Sequence, residues 1–156
     1  MNKYAILIGN NQFPDEEDKN KLPDLSCPEQ DVDGLAKVLS DLSRGEFNIV
    51  LPLKNQPYHK ILRELQRMVQ KAQSDDLLLV YYSGHGKRSD KSGQLHLTTL
   101  DTVITELESS ALPITQVYDI IGTGNCKKII IILDCCYSGA AGQSFKGNID
   151  AQLQQL

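Results

Sequence analysis

Three apolar runs constrain this chain most: Lys3 to Ile8 (KYAILI), Leu77 to Tyr82 (LLLVYY) and Lys128 to Leu133 (KIIIIL). Each is far shorter than a membrane span and apolar at consecutive rather than alternate positions, as strands buried on both faces are. A fourth run, Phe47 to Leu51 (FNIVL), is shorter and more polar and suits a strand nearer the sheet edge. Between the runs lie helical periods. Val32, Leu35, Ala36, Leu39 and Leu42 fall on one helix face, and Ile61, Leu65, Met68, Val69 and Ala72 on another. Pro57 suits the first turn of the second helix, and a third, shorter helix is expected from Ile114 to Ile121, after Pro113.

Strands alternating with helices across short links predict an α/β fold. Right-handed crossovers then give a mostly parallel sheet in strand order 2-1-3-4, covered by helices on both faces. With 156 residues, 40% of them hydrophobic, the chain can bury one core but not two independent ones.

The formal net charge of -4 argues against a phosphate-neutralising surface, so nucleic acid is not an expected partner. MNKYAILIGN lacks the long apolar stretch of a secretory leader, and no run approaches the ~18 residues a membrane helix needs. A soluble, cytoplasmic protein with no membrane partner is expected. The four cysteines Cys27, Cys126, Cys135 and Cys136 are too few for a disulfide scaffold and read as reduced thiols.

In such sheets chemistry gathers at the carboxyl ends of the strands. Those ends are Gly9-Asn10-Asn11, Ser83-Gly84-His85-Gly86 and Asp134-Cys135-Cys136-Tyr137-Ser138-Gly139. The last two carry a base and a nucleophile. A thiol attacks only as thiolate, so its ordinary pKa of about 8.5 has to be offset by a nearby imidazole, which also protonates the leaving amine. His85 and Cys136 can supply that pair, and the backbone N–H groups of Gly86 and Cys136 can form an oxyanion hole. Gly139 suits a sharp turn after the nucleophile.

The motifs YYSGHG and DCCYSG resemble the histidine and cysteine loops of the caspase-like cysteine peptidase clan, especially bacterial metacaspase-like and orthocaspase-like proteins. His85 lies about 50 residues before Cys136, the caspase separation, although Asp-Cys-Cys-Tyr stands where true caspases have Gln-Ala-Cys. The resemblance implies a caspase-like three-layer sandwich, with residues 1–142 as the large-subunit catalytic domain. Residues 143–156 would be a tail leading towards a small subunit that completes the cleft, with Lys146 as a processing site. It also implies Cys136, not Cys135, as nucleophile, and Asp31 and Asp134 as the carboxylates that receive a substrate Arg or Lys. A buried cation does need such anionic, hydrogen-bonding partners.

The implied function is a cysteine endopeptidase cleaving proteins after Arg or Lys through a thioester acyl-enzyme, in bacterial stress or defence signalling. No cofactor is expected. Calcium-dependent relatives carry acidic residues after the histidine loop, where this chain has Lys87, Arg88 and Lys91, so no calcium requirement is expected either.

Other readings stand beside these. The chain could be a non-catalytic caspase-like scaffold, lacking half of its cleft. Asp31 could be only a helix N-cap. Cys27 and Cys126 read as packed small hydrophobes, Cys135 as packing beneath its loop, and His59 and His96 as surface or satisfied core residues. A zinc site from His85, His96, Cys135 and Cys136 lacks the paired ligand spacing, and Gly86-Lys87 lacks the rest of a phosphate loop. Asp15 to Asp18 reads as a solvated loop. A redox role for the vicinal cysteines is disfavoured by the strain of bonding adjacent residues.

Overall fold

The computed structural model describes residues 1–13, 22 and 25–136. The acidic stretch Asp15 to Asp18, Gly139, Lys146 and the tail 143–156 lie outside the described residues. In chain order the elements are β1 (Lys3–Gly9), α1 (Pro28–Ser40), β2 (Ile49–Lys54), α2 (Tyr58–Lys71), β3 (Leu77–Ser83), β4 (Gly86–Arg88) and β5 (Leu95–Leu97). A 3-10 turn (Ile104–Glu106) then leads to α3 (Leu107–Ser110), β6 (Leu112–Pro113), α4 (Ile114–Gly122) and β7 (Lys128–Asp134).

The four expected strands form one parallel sheet in the order β2-β1-β3-β7, the predicted 2-1-3-4 arrangement. Its faces differ. Tyr4, Ile6, Ile8, Leu78, Val80 and Tyr82 pack against α2 and α4 in the larger core, while Ala5, Leu7, Leu79 and Tyr81 meet Val32, Leu35, Ala36 and Leu39 of α1. α2 is held by Ile61, Leu65, Met68 and Val69, all buried, each contributing roughly 1.5–3 kcal/mol on leaving water. The result is the expected three-layer sandwich.

Several local expectations shift. Leu42 lies beyond the end of α1 and is 84% exposed. There Asp41 Oδ1 accepts from both Ser43 N and Ser43 Oγ, offering the backbone an alternative to another helical turn. β2 begins at Ile49 because Phe47 gives its N–H to the Leu39 carbonyl (2.9 Å) and packs under α1. Pro57 is the N-cap of α2 rather than part of its first turn. A small antiparallel sheet, β4-β5-β6, adds to the four predicted strands.

The register matters most for the site. Gly9 pairs with Ser83, and Ser83 with Asp134, so β1, β3 and β7 end level with one another. Three loops therefore leave the sheet side by side.

Candidate active site

The histidine loop is anchored at both ends. Asn10 N donates to the Ser83 carbonyl at 3.0 Å, Gly84 N to the Asp134 carbonyl at 3.3 Å, and Thr98 N to the His85 carbonyl at 3.0 Å. The imidazole lies against Phe13, with ring centroids 5.6 Å apart.

The Thr98-to-His85 bond has a second consequence. It makes Gly86 and Leu97 a non-hydrogen-bonded pair of the β4–β5 ladder, so the Gly86 N–H points away from β5. β4 is the edge of its sheet, which leaves that N–H on the side away from the ladder.

The cysteine loop rests directly on this glycine. A Cβ built on Gly86 would lie 2.3 Å from the Cys136 carbonyl oxygen and 3.0 Å from Cys135 Sγ. No side chain fits there, so glycine is required for the two loops to touch. The two sulfurs differ in surroundings. Cys136 is exposed, whereas Cys135 is half-buried against the larger core, as expected. Burial first, and then the neighbouring Cys136 and Asp134, push the Cys135 thiol up to about 11.

On the other side of the sheet Ser83 Oγ donates to Asp31 Oδ2 at 3.1 Å. Asp31 lies within the first turn of α1, whose N-cap is Cys27, so the N-cap reading of Asp31 does not hold. Gly9 makes this approach fit: a Cβ there would fall 2.5 Å from Pro28 O and 2.8 Å from Val32 Cγ2. Asp134 is the register partner of Ser83, and partners in a parallel ladder project to the same face. Both carboxylates act on one group, the Tyr81 phenol, whose pKa is raised by burial and further by the charges of Asp31 and Asp134.

Two residues that the sequence did not single out tie this rim together. Ser83 connects the histidine loop to Asp31. Asn55, at φ 47°, accepts at its Oδ1 from Asn11 N (2.8 Å) and Gln12 N (3.1 Å), and its amide donates to Glu29 Oε1. A turn-forming Asn between the predicted strand Phe47 to Leu51 and Pro57 was the available signal.

The remaining candidates separate. His96 is buried in β5 and its Nδ1 lies 3.2 Å from the Gln94 carbonyl, and His59 is exposed, so both are in the settings expected of them. Cys126 is buried, with Sγ donating to the Asp76 carbonyl, but Cys27 is exposed at the start of α1 and is not the packed hydrophobe expected. Among the described residues no group of three or more His, Cys, Asp or Glu could hold a metal ion, and no helix is long and apolar enough to cross a membrane.

A family profile described as "Caspase domain" matches residues 2–155. The chain belongs to the caspase-domain family. This caspase domain is 29% identical to Metacaspase-7 of Arabidopsis thaliana, over all of its own length but 38% of that protein's. Among solved structures it is similar to caspase-1 from Spodoptera frugiperda, with a TM-score of 0.63 at 21% identity over 86% of this domain and 47% of that chain. It is also similar to protein GSU0716 from Geobacter sulfurreducens, with a TM-score of 0.67 at 16% identity over 99% of this domain and 66% of that chain. The two structural likenesses establish the fold. The profile and Metacaspase-7 join this caspase domain to a family of cysteine peptidases.

Proposed function

We propose that the domain is the catalytic part of a cysteine endopeptidase, with Cys136 as nucleophile and His85 as its acid and base. The observation that carries this reading is the contact of the two loops at Gly86, against the Cys136 carbonyl. Cys136 presents an exposed sulfur, while Cys135 is half-buried and held as a thiol, which favours the second cysteine as the attacking group. In the proposed reaction the thiolate attacks the scissile carbonyl, and the Gly86 and Cys136 N–H groups receive the developing oxyanion. His85 then protonates the departing amine, leaving a thioester that water hydrolyses.

Asp31, Ser83 and Asp134 together suit a substrate Arg or Lys side chain, since two carboxylates and a hydroxyl on one face can pair with and hydrogen-bond a cation. Lys87 and Arg88, exposed just after the histidine loop, do not suit a calcium site, so activity is expected to persist in EDTA.

β7 supports one more part of the reading. Its outer edge has no strand partner among the described residues, and Ile130 and Ile132 are 46% and 44% exposed on the α1 side. A further segment or chain that pairs with β7 and covers these side chains would complete the cleft, as the small subunit does in the enzymes this domain resembles. The same open edge favours the second reading, a non-catalytic scaffold.

An arginyl-amidomethylcoumarin peptide and a Lys- or Arg-directed acyloxymethylketone, applied to the complete natural polypeptide, separate the two. The peptidase should turn over the first and be labelled at Cys136 by the second, and Cys136→Ala should abolish both. Asp134→Asn should lower kcat/KM for the arginyl substrate by roughly 30-fold or more, the loss of about 2 kcal/mol of charge pairing. No labelling at all favours the scaffold, and labelling at Cys135 reverses the assignment of the two sulfurs.

A further inference from the structure

His85 stands between two glycines, Gly84 and Gly86, in a loop whose chemistry requires a fixed imidazole. Glycine loses more backbone freedom on ordering than any other residue, so a Gly-His-Gly segment has to be held by its surroundings. The grip falls on one atom. Thr98 N at 3.0 Å, Thr98 Oγ1 at 3.1 Å and Tyr82 Oη at 2.9 Å all donate to the carbonyl oxygen of His85. The phenol is also 2.8 Å from the Thr98 carbonyl, so its single proton bridges the two segments.

All of this takes place out of water. Tyr82 is 1% exposed and Thr98 0%, and burial raises the Tyr82 pKa well above the ordinary phenol value, which keeps the proton available for donation. Gly84 is what admits the phenol to the loop, because a Cβ at that position would lie 2.5 Å from Tyr82 Oη.

Thr98 is itself fixed to the helical layer through its neighbours. Thr99 N donates to Thr102 Oγ1 at 2.8 Å and Thr99 Oγ1 to Asp101 Oδ1 at 2.7 Å. Asp101 Oδ1 also accepts the Tyr58 N–H, at 3.0 Å, in the first turn of α2. A chain of hydrogen bonds thus runs from the start of α2 to the carbonyl of His85.

We infer that Tyr82 and Thr98 are positioning residues for His85, clamping its carbonyl from the core side so that the imidazole is held against the cysteine loop. The inference rests on the proposed role of His85. Buried donors sharing one acceptor restrict the loop at the residue that must not wander, and a displacement of 1 Å at a catalytic group can cost about 100-fold in rate.

The test uses the complete polypeptide. Tyr82→Phe keeps the ring and removes only the hydroxyl. It should lower kcat by about 10- to 100-fold with KM unchanged. It should also slow iodoacetamide alkylation of Cys136 at neutral pH, read by mass spectrometry, towards the rate in His85→Ala. Thr98→Val should act in the same direction, and Thr98→Ser, which restores the hydroxyl, should recover turnover. A Tyr82→Phe enzyme with wild-type kcat overturns the clamp, as does a Thr98→Ser enzyme as slow as Thr98→Val. If His85→Ala slows turnover and alkylation while Tyr82→Phe slows neither, only the clamp falls. If His85→Ala slows neither, the assignment of the base falls and the clamp falls with it.

Discussion

β3 and β7 are neighbours of equal length and similarly apolar sequence, LLLVYYS against KIIIILD, yet their surroundings differ. β3 is buried along nearly its whole length, with α1 over one face, α2 and α4 over the other, and a strand on each side. β7 alternates between exposed and half-buried positions, because only its α2/α4 face is covered and only one edge is paired. The two loops that make up the site therefore rest on unequal supports. The proposed base follows a strand buried on both faces, and the proposed nucleophile follows one covered on a single face. A continuous apolar run predicts two covered faces, and on β7 the described residues cover only one.

The register allows a direct trial of this contrast. Leu79 and Ile130 are partners across the β3–β7 ladder and share the α1-side face, but Leu79 is 5% exposed and Ile130 46%. Leu79→Ala should cost about 2–5 kcal/mol, the usual range for a buried aliphatic side chain, measured by chemical denaturation. Ile130→Ala should cost well under ~1 kcal/mol in the same experiment. Equal losses would mean that the face of β7 is already covered, and the difference between the strands would disappear.

A second substitution tests the place where the two supports meet. Gly86→Ala puts a methyl group 2.3 Å from the Cys136 carbonyl, and because the obstacle is backbone, one loop has to move. Turnover of the complete enzyme should fall by about 100-fold, with the denaturation midpoint changed far less. β7, the looser partner, is the element expected to yield. Full activity in Gly86→Ala would show that the loops do not need this contact.

How much of this was legible in the sequence follows from which forces are local. β1, β3 and β7 were readable because consecutive apolar residues have few alternatives to a buried strand, and α2 because its stripe is regular over several turns. The histidine and cysteine loops were readable because a base and a nucleophile each follow the carboxyl end of a predicted strand, within motifs that resemble known ones. β4, β5 and β6 were not, since GKR, LHL and LP are too short to show any period. The Ser83–Asp31 bond depends on register and on the close approach of α1 at Gly9, and the clamp on His85 joins Tyr82 to a threonine sixteen residues further on. Exposure was the hardest property to read. Cys27 and Leu42 both read as packed residues, yet Cys27 is exposed at the N-cap of α1 and Leu42 lies beyond the other end of that helix.

The smallest expected effect concerns the sulfur that β7 keeps half-hidden. The folded state holds the Cys135 thiol up to about 11, against about 8.5 in an unfolded chain, chiefly through burial and then through the charges of Cys136 and Asp134. A raised pKa in the fold means that the unfolded chain loses its proton first. The associated stability is complete below about pH 8.5 and drains away as pH rises towards 11. Denaturation midpoints measured across that window should therefore fall more steeply for the wild-type chain than for Cys135→Ala, with solvent around the half-open site keeping the difference small. Cover over β7 should enlarge it, because deeper burial penalises the thiolate further. If the two chains have identical slopes, Cys135 titrates as an exposed thiol, and β7 is more open than its packing against α2 and α4 implies.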